Sequence, residues 1–229
     1  MKNIAIIPAR SGSKGLKDKN IKDLCGRPLL SYSIEAAKGS KVFDEIMVST
    51  DSERYAAIAK EYGASVPFLR SSATSSDTAS SWDTVLEVLE NYGKTGRAFD
   101  NVCLLQPTSP LRTAEDIKQA YALFQTAETA VISVCEVDHS PLWCNTLPDD
   151  LSLDGFIKPS NFKQRQKIDK YYRLNGAVYF VKVSALYESQ FLYRQGSYAY
   201  VMDKRRSIDI DDEFDFRMAE FLMRMQQNG

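Results

Sequence analysis

Only one histidine, His139, occurs among 229 residues. That argues against a multi-histidine metal site and against a histidine-based nucleophile triad. The four cysteines, Cys25, Cys103, Cys135 and Cys144, form no C-x-x-C pair. They read as buried free thiols of a chain kept in a reducing cytoplasm, the expected location. No apolar run is long enough to span a membrane, and the N-terminal run is too short for a signal peptide and leads straight into charges. Excess charge of one sign is also missing: Lys+Arg is 29 and Asp+Glu is 30, a net charge of -1. Such a chain lacks the generic basic surface that nucleic acid or an anionic membrane needs, so neither is expected as a partner and any anion site must be local. Neither G-x-G-x-x-G nor G-x-x-x-x-G-K-[ST] occurs, so a dinucleotide dehydrogenase and a Walker-type NTPase both lack their fingerprints.

What is present alternates. NIAIIPA (3–9), DEIMVST (44–50), NVCLLQ (101–106) and TAVISVCEV (129–137) are short apolar runs that read as buried strands. Between them, 28–40, 51–64, 77–93 and 113–126 carry helical spacing, with Asp51 or Ser52 capping the second and Gly63 ending it. This rhythm predicts an α/β chain with a doubly wound, mostly parallel sheet. Residues 138–172, with Pro141, Pro148, Pro159 and Gly155, break it and read as an excursion from the body. NGAVYFVKV (175–183) returns as a strand, and 207–226 reads as a short strand running into a C-terminal helix. A single domain spanning 1–229 is expected.

Three places carry chemistry. The loop after the first strand, ARSGSKGLKDKN, holds Arg10, Lys14, Lys17 and Lys19 against Asp18. Gly12 and Gly15 allow its backbone to wrap closely, so its amides can face phosphates, and ligands of open α/β sheets bind at the carboxyl ends of strands. The plain alternative is a solvated cationic loop. LLQPTSPLR (104–112) also follows a strand: Gln106 offers a donor and an acceptor, Arg112 can pair with a carboxylate, and the alternative is a Pro-stiffened turn with Thr113 capping the next helix. In SIDIDDEFD, a strand would point Asp209 and Asp211 to one face, a pair suited with substrate phosphates to Mg²⁺ (or Mn²⁺). Helix capping explains Asp212 and Glu213 but not Asp209. His139 reads as a turn or packing residue.

Taken together, IIPARSGSKGLKDKN, VSTDSE, SSDTASS, LLQPTSPLR, QRQ…YYRLNGAVY and SIDIDDEFD resemble the acylneuraminate cytidylyltransferases, also called CMP-sialic acid synthetases, over nearly the whole chain. The resemblance implies a nucleotide-diphospho-sugar transferase-like sheet. It implies CTP and a nine-carbon 2-keto sugar acid as substrates, and a homodimer built through 138–172 as an arm that reaches the partner's active site. Arg10, Ser13, Lys14, Gly15, Lys19 and Asn20 match nucleotide positions on the loop, and Arg70, Ala79 and Ser81 match positions around cytosine and ribose. Gln106, Arg165, Asn175 and Tyr179 match the sugar side, with Trp143 and Phe191 toward the sugar's far end. Asp209 and Asp211 match the metal carboxylates. Arg10, Lys19 and Asp211 are the expected catalytic residues. N-acetylneuraminic acid is the expected acceptor. Legionaminic acid or another nine-carbon relative is the alternative, because no basic residue stands near Trp143 and the pair Phe191–Leu192 replaces two aromatics. A non-catalytic nucleotide-binding protein is the alternative from another class.

Overall fold

In the computed structural model, which describes every residue except Ser13, Lys14, Asp77, Asn228 and Gly229, strand β1 (Asn3–Pro8) lies inside the sheet. Ile4 and Ile6 enter one apolar cluster while Ala5 and Ile7 enter another. A strand buried on both faces needs apolar residues at every position, which is why NIAIIP shows no alternation. A two-residue hairpin follows, β2 (Asp23–Leu24) and β3 (Arg27–Pro28). Then come α1 (Leu29–Ser40), β4 (Glu45–Ser49), α2 (Glu53–Glu61), the short α3 (Ser72–Ser75) and α4 (Ser81–Lys94). The chain continues through β5 (Asn101–Leu104), α5 (Ala114–Phe124) and β6 (Ala130–Glu136). It closes with β7 (Tyr172–Lys182), α6 (Val183–Glu188), β8 (Ser197–Val201) and α7 (Glu213–Gln227).

The sheet order is β4-β1-β5-β7-β6-β8, with β7 alone running against its neighbours. The doubly wound, mostly parallel reading therefore holds. Residues of α1, α2 and α5 pack on one face through Ile34, Tyr55, Ile117 and Phe124, and α4 packs on the other through Val85, Val88 and Leu89. A third cluster joins Leu24, Leu29, Ile210, Phe216 and Ala219, and so docks α7 near the opening loop.

Several boundaries move from their expected places. The helix read at 77–93 begins at Ser81, because Ser80 and Asp83 form a reciprocal capping box that stops it there. Ser52, not Asp51, caps α2, and Gly63 follows it at φ 86. Residues 207–211 form no strand: Ile210 donates its amide to the Thr108 carbonyl at 2.8 Å without joining a ladder. Strand β8 escapes the sequence reading because this edge strand, SYAYV, with Tyr198 and Val201 exposed, lacks an apolar run. Cys103 and Cys135 are buried, but Cys25 is half-buried and Cys144 exposed.

The excursion is real as geometry. Residues 138–171 carry only 3₁₀ turns at Pro141–Trp143, Pro159–Asn161 and Arg165–Lys167. Both of its feet are held, since β6 and β7 pair as far as Glu136 opposite Tyr172. Because β6 runs parallel in sense to β5, the excursion leaves from the same sheet edge as the β1 and β5 loops.

Asp116 is a hub of this packing. Its carboxylate completes the α5 capping box with Thr113 and accepts from the Tyr200 hydroxyl at 3.1 Å and from Arg206 at 2.9 and 3.0 Å. Burial alone would raise its pKa, but the donors of Arg206 and Thr113 outweigh burial and hold it below the usual carboxylate range. A lowered folded-state pKa contributes stability that is present above the unfolded value and lost as pH falls through the folded one. Asp116→Asn should therefore cost about 3 kcal/mol near neutrality. The cost should shrink in acid, so that urea midpoints of variant and parent converge below about pH 4. Parallel midpoint-versus-pH curves would count against this assignment.

Candidate active site

A cleft of about 600 Å³ opens at the carboxyl ends of β1 and β5. Its first wall is the loop after β1. The β1–β4 pairing runs on to Ala9, whose amide reaches the Ser49 carbonyl at 2.8 Å, so Arg10 starts from a fixed point. The Arg10 guanidinium donates to the Ser75 carbonyl at 3.2 Å, and Asn20 turns back to the Arg10 carbonyl at 3.0 Å. Lys19 crosses the cleft floor: its Nζ donates to the Ile210 carbonyl at 2.5 Å and stands 3.6 Å from Asp211 Oδ1. Gly15 is required here, since a Cβ on it would lie 2.6 Å from the Asp211 carbonyl oxygen. Ser13 and Lys14 lie outside the described residues.

The opposite wall is Arg70 with the turn that follows it. Arg70 donates to the Ser49 hydroxyl at 3.2 Å and the Ser49 carbonyl at 3.1 Å. Burial pulls its pKa down to about 10, against the raising fields of Asp51 and Glu87, so it remains a cation. Glu87 ties the turn down by accepting from the Ser71 amide at 2.9 Å and from the Thr74 hydroxyl. Ala79 and Ser81 line the cleft beside Ser80, placing the positive end of α4 at its rim.

Gln106 and Thr108 form the floor with Asp209 and Asp211. Burial and the nearby Asp211 raise the Asp209 pKa, although the Thr108 hydroxyl and Lys19 oppose them. Asp211 is the exposed partner, its side chain 83 % accessible. The pair thus meets the cleft although 207–211 is not a strand. Gly176, at φ 73 inside β7, backs this floor: a Cβ there would sit 2.6 Å from Gln106 Oε1 and 3.1 Å from Asp209 Oδ2. The residues fit a hard divalent cation, because oxygen ligands suit it and it would relieve the penalty that burial and Asp211 impose on charged Asp209. Among the described residues no three or more His, Cys, Asp or Glu are grouped so as to hold a metal ion, so phosphate oxygens would complete such a site.

Arg112 does not meet a carboxylate, contrary to one expectation. It is buried, and its Nη1 donates to the carbonyls of Gln106, Ser109 and Ala177, with Nη2 on the Ser33 hydroxyl. It pins the QPTSP turn from beneath. Thr113 caps α5 as the alternative reading had it.

The sugar-side candidates do not converge within one chain. Gln106 lines the cleft. Tyr179 stands behind the rim, its ring edge-on to Trp82 at 6.0 Å, with its pKa raised to about 12 by burial and by the charges of Tyr193 and Asp209. Asn175 is a correction: it is 1 % exposed, accepts from Ser133 at 2.6 Å and donates to Ser207 at 2.9 Å, so its amide serves the fold. Arg165 donates to the Asp138 carbonyl at 2.9 Å, and Trp143 donates to the Asn161 carbonyl at 3.2 Å, both on the excursion. Phe191 is exposed against Tyr193, one residue past Gln190, which reaches Asp83 at 3.1 Å. His139 is exposed at the foot of the excursion.

Thr108 and Gly176 escaped the sequence reading. Thr108 sits in a motif that was noticed for its neighbours, and a glycine beside an asparagine gives no hint of what it backs. The arrangement presents cations on two walls and carboxylates on the floor, which suits binding a polyphosphate and neutralising charge on it.

The cytidylyltransferase family model matches residues 4–225. The chain is 36% identical over 233 residues to the CMP-N,N'-diacetyllegionaminic acid synthase of Legionella pneumophila, covering 100% of this chain and 99% of that one. It is 35% identical over 230 residues to the pseudaminic acid cytidylyltransferase of Campylobacter jejuni, covering 100% and 99%. It is 40% identical over 220 residues to the N-acylneuraminate cytidylyltransferase of Escherichia coli, covering 95% of this chain but only 51% of that longer one. In fold it is similar to a solved CMP:2-keto-3-deoxy-manno-octonic acid synthetase complexed with CTP, with TM-score 0.74, 16% identity and coverage of 99% and 100%. A cleft of this build, on this sheet, with a family match across nearly its whole length, means that the chain belongs to the cytidylyltransferase family.

Proposed function

We propose that this chain transfers the cytidylyl group of CTP to the anomeric hydroxyl of a nine-carbon 2-keto sugar acid, giving the CMP-sugar and pyrophosphate. The observation that carries this reading is the meeting of Arg10, Lys19, Asp209 and Asp211 in one cleft. In this reading the sugar hydroxyl attacks the α-phosphorus in line and pyrophosphate leaves. Arg10 and Lys19 hold phosphate oxygens, so the charge that develops is met by cations already in place. A divalent cation held by Asp209 and Asp211 would neutralise charge at the α-phosphate. Arg70 and the rim at Ala79 and Ser81 flank the nucleoside, and Gln106 faces the acceptor from the strand end.

For the acceptor, N-acetylneuraminic acid is the first choice, in keeping with the neuraminate relatives. Legionaminic acid is the second reading, favoured by exposed Phe191 and by Trp143 without a basic neighbour. An apolar surface tolerates a deoxy, methyl-bearing tail better than a lysine does. A non-catalytic nucleotide-binding protein would not need Lys19, Asp209 and Asp211 together. Purified protein should release pyrophosphate from CTP only when a keto-sugar acid is present. N-acetylneuraminic acid should support the highest kcat/KM in a panel. A preference for legionaminic acid beyond about tenfold, roughly 1.4 kcal/mol, would replace the first choice, and absence of pyrophosphate with every acid would sink the transferase reading.

Within the loop, Lys19 and Lys17 make a sharp contrast, since Lys17 is exposed and does not line the cleft. Lys19→Ala should lower kcat on the order of 10²–10³, and Lys17→Ala should change it little. Asp211→Asn should lower kcat severely with little loss of thermal stability, because its side chain is exposed. Equal, small effects at Lys19 and Lys17 would return the loop to a solvated surface.

The excursion fits the role of a dimerisation arm. Leu147, Leu151, Leu153 and Phe162 are 55%, 69%, 68% and 85% exposed, an apolar display costly to leave in water. A second copy covering them would also bring Arg165 and Trp143 toward its partner's cleft. Light scattering at micromolar concentration should give a dimer mass. A stable and active monomer would refute the arm.

A further inference from the structure

The end of β4 offers a group outside the cleft lining, Asp51, whose field opposes the lowering of the Arg70 pKa. Asp51 lies two residues past the end of that strand, and its two carboxylate oxygens both face the opening loop. Oδ1 accepts from the Ser11 amide at 2.7 Å, and Oδ2 accepts from the Ser11 hydroxyl at 2.9 Å. Two hydrogen bonds to one charged acceptor are strong and directional. They fix the loop one residue after Arg10 and one residue before Gly12, where the backbone turns at φ 74. The same strand end holds the opposite wall, because the Arg70 amide donates to the Thr50 carbonyl at 2.8 Å and its guanidinium to Ser49. Farther along the loop, the Tyr55 hydroxyl of α2 donates to Asp18 at 2.9 Å, where the backbone is again left-handed at φ 51. The loop is thus fastened to β4 and α2 at two points on either side of its glycines.

A carboxylate at the edge of a polyphosphate site repels the incoming anion, so its place there calls for a task that its hydrogen bonds perform. Capping α2 is not its task, since Ser52 performs that. We infer that Asp51 is a positioning residue: through Ser11 it holds the loop in the shape that presents Arg10 and the backbone beyond it to the triphosphate. This inference rests on the nucleotide reading of the cleft. It makes a distinction that a merely structural role does not. A loop released from Asp51 loses its grip on the β- and γ-phosphates, while the base and ribose contacts of the Arg70 wall remain.

The test is calorimetric binding of CTP and of CMP to the full chain and to Asp51→Ala, Asp51→Asn, Ser11→Ala and the double variant. Asp51→Ala should weaken CTP about tenfold or more and CMP less than about threefold. Asp51→Asn, which keeps one acceptor for the Ser11 amide, should recover most of the loss. Ser11→Ala should weaken CTP a few-fold in the parent and not at all in the Asp51→Ala background. If Asp51→Ala does not fold, Ser11→Ala alone decides, and an unchanged CTP affinity overturns the inference. Equal losses for CTP and CMP, or additive effects at the two positions, overturn it as well. A parent chain that binds neither nucleotide defeats the nucleotide reading itself, an outcome separate from these.

Discussion

Ile210 is the point on which the site hangs. It is an apolar residue between two acids, and its side chain is fully buried beside Leu24 and Phe216. Its amide donates to the Thr108 carbonyl at 2.8 Å, and its carbonyl accepts from the Lys19 ammonium at 2.5 Å. Three segments that are distant in sequence therefore meet at one residue. Burial sets the depth of that residue and hydrogen bonds set its rotation, so the flanking carboxylates have little choice. Asp209 faces the floor against Thr108, and Asp211 projects into the open beside Lys19. The packing of α7 against the hairpin at β2 and β3 is what keeps Ile210 in place, which gives a C-terminal helix a direct part in the geometry of the first loop.

Charge around this point is handled mostly by backbone dipoles. Arg112 and Arg70 are both turned inward onto carbonyls and hydroxyls, and Lys19 takes a carbonyl as its nearest partner. Burial lowers the pKa of both arginines to about 10, which still leaves them charged at neutral pH. A cation held by carbonyls keeps its charge available to an incoming anion, whereas one locked to a carboxylate is already neutralised; Lys19 stands between the two, since exposed Asp211 lies 3.6 Å from its Nζ. Asp116 and Arg206 show the opposite arrangement, a direct ion pair, and they lie in the packing between α5 and β8 rather than in the cleft.

Much of this was legible in the residues. The apolar runs of β1, β4, β5 and β6 carried the sheet because strands buried on both faces need them. The loop after β1 and Asp209 pointed to an anion and metal site in the residues alone, because the cations cluster after a strand and helix capping leaves Asp209 unexplained. Helix starts were less legible: the Ser80 and Asp83 box cut α4 back to Ser81, and only the contacts show which serine of TSSDTASS takes the cap. Gly176 was not legible at all, because its role is the space it leaves for Gln106 and Asp209, and those neighbours come from other segments. Asn175 looked like a ligand-facing amide in the string. Its burial comes from the irregular pairing between β6 and β7, where the register shifts between Ile132 and Val134.

That irregularity also explains how the two halves of the cleft differ. On the nucleotide side, β1 and β4 are parallel neighbours in regular register, and each loop is braced by its neighbour's strand end. On the other side, β7 runs against β5 and β6, carries a left-handed glycine in its middle, and receives the chain at Tyr172 from the long excursion that leaves β6. Regular parallel pairing makes a rigid cradle from one chain. The antiparallel strand instead sends its adjoining segment away from the body, with Arg165 and Trp143 on it. Under the proposed function, a rigid nucleotide half and a sugar half built partly on a projecting segment would vary independently. Phe191 and Trp143 make no part of the Lys19–Ile210 contact, so in that reading substitutions there would change acceptor preference and leave the grip on phosphate intact.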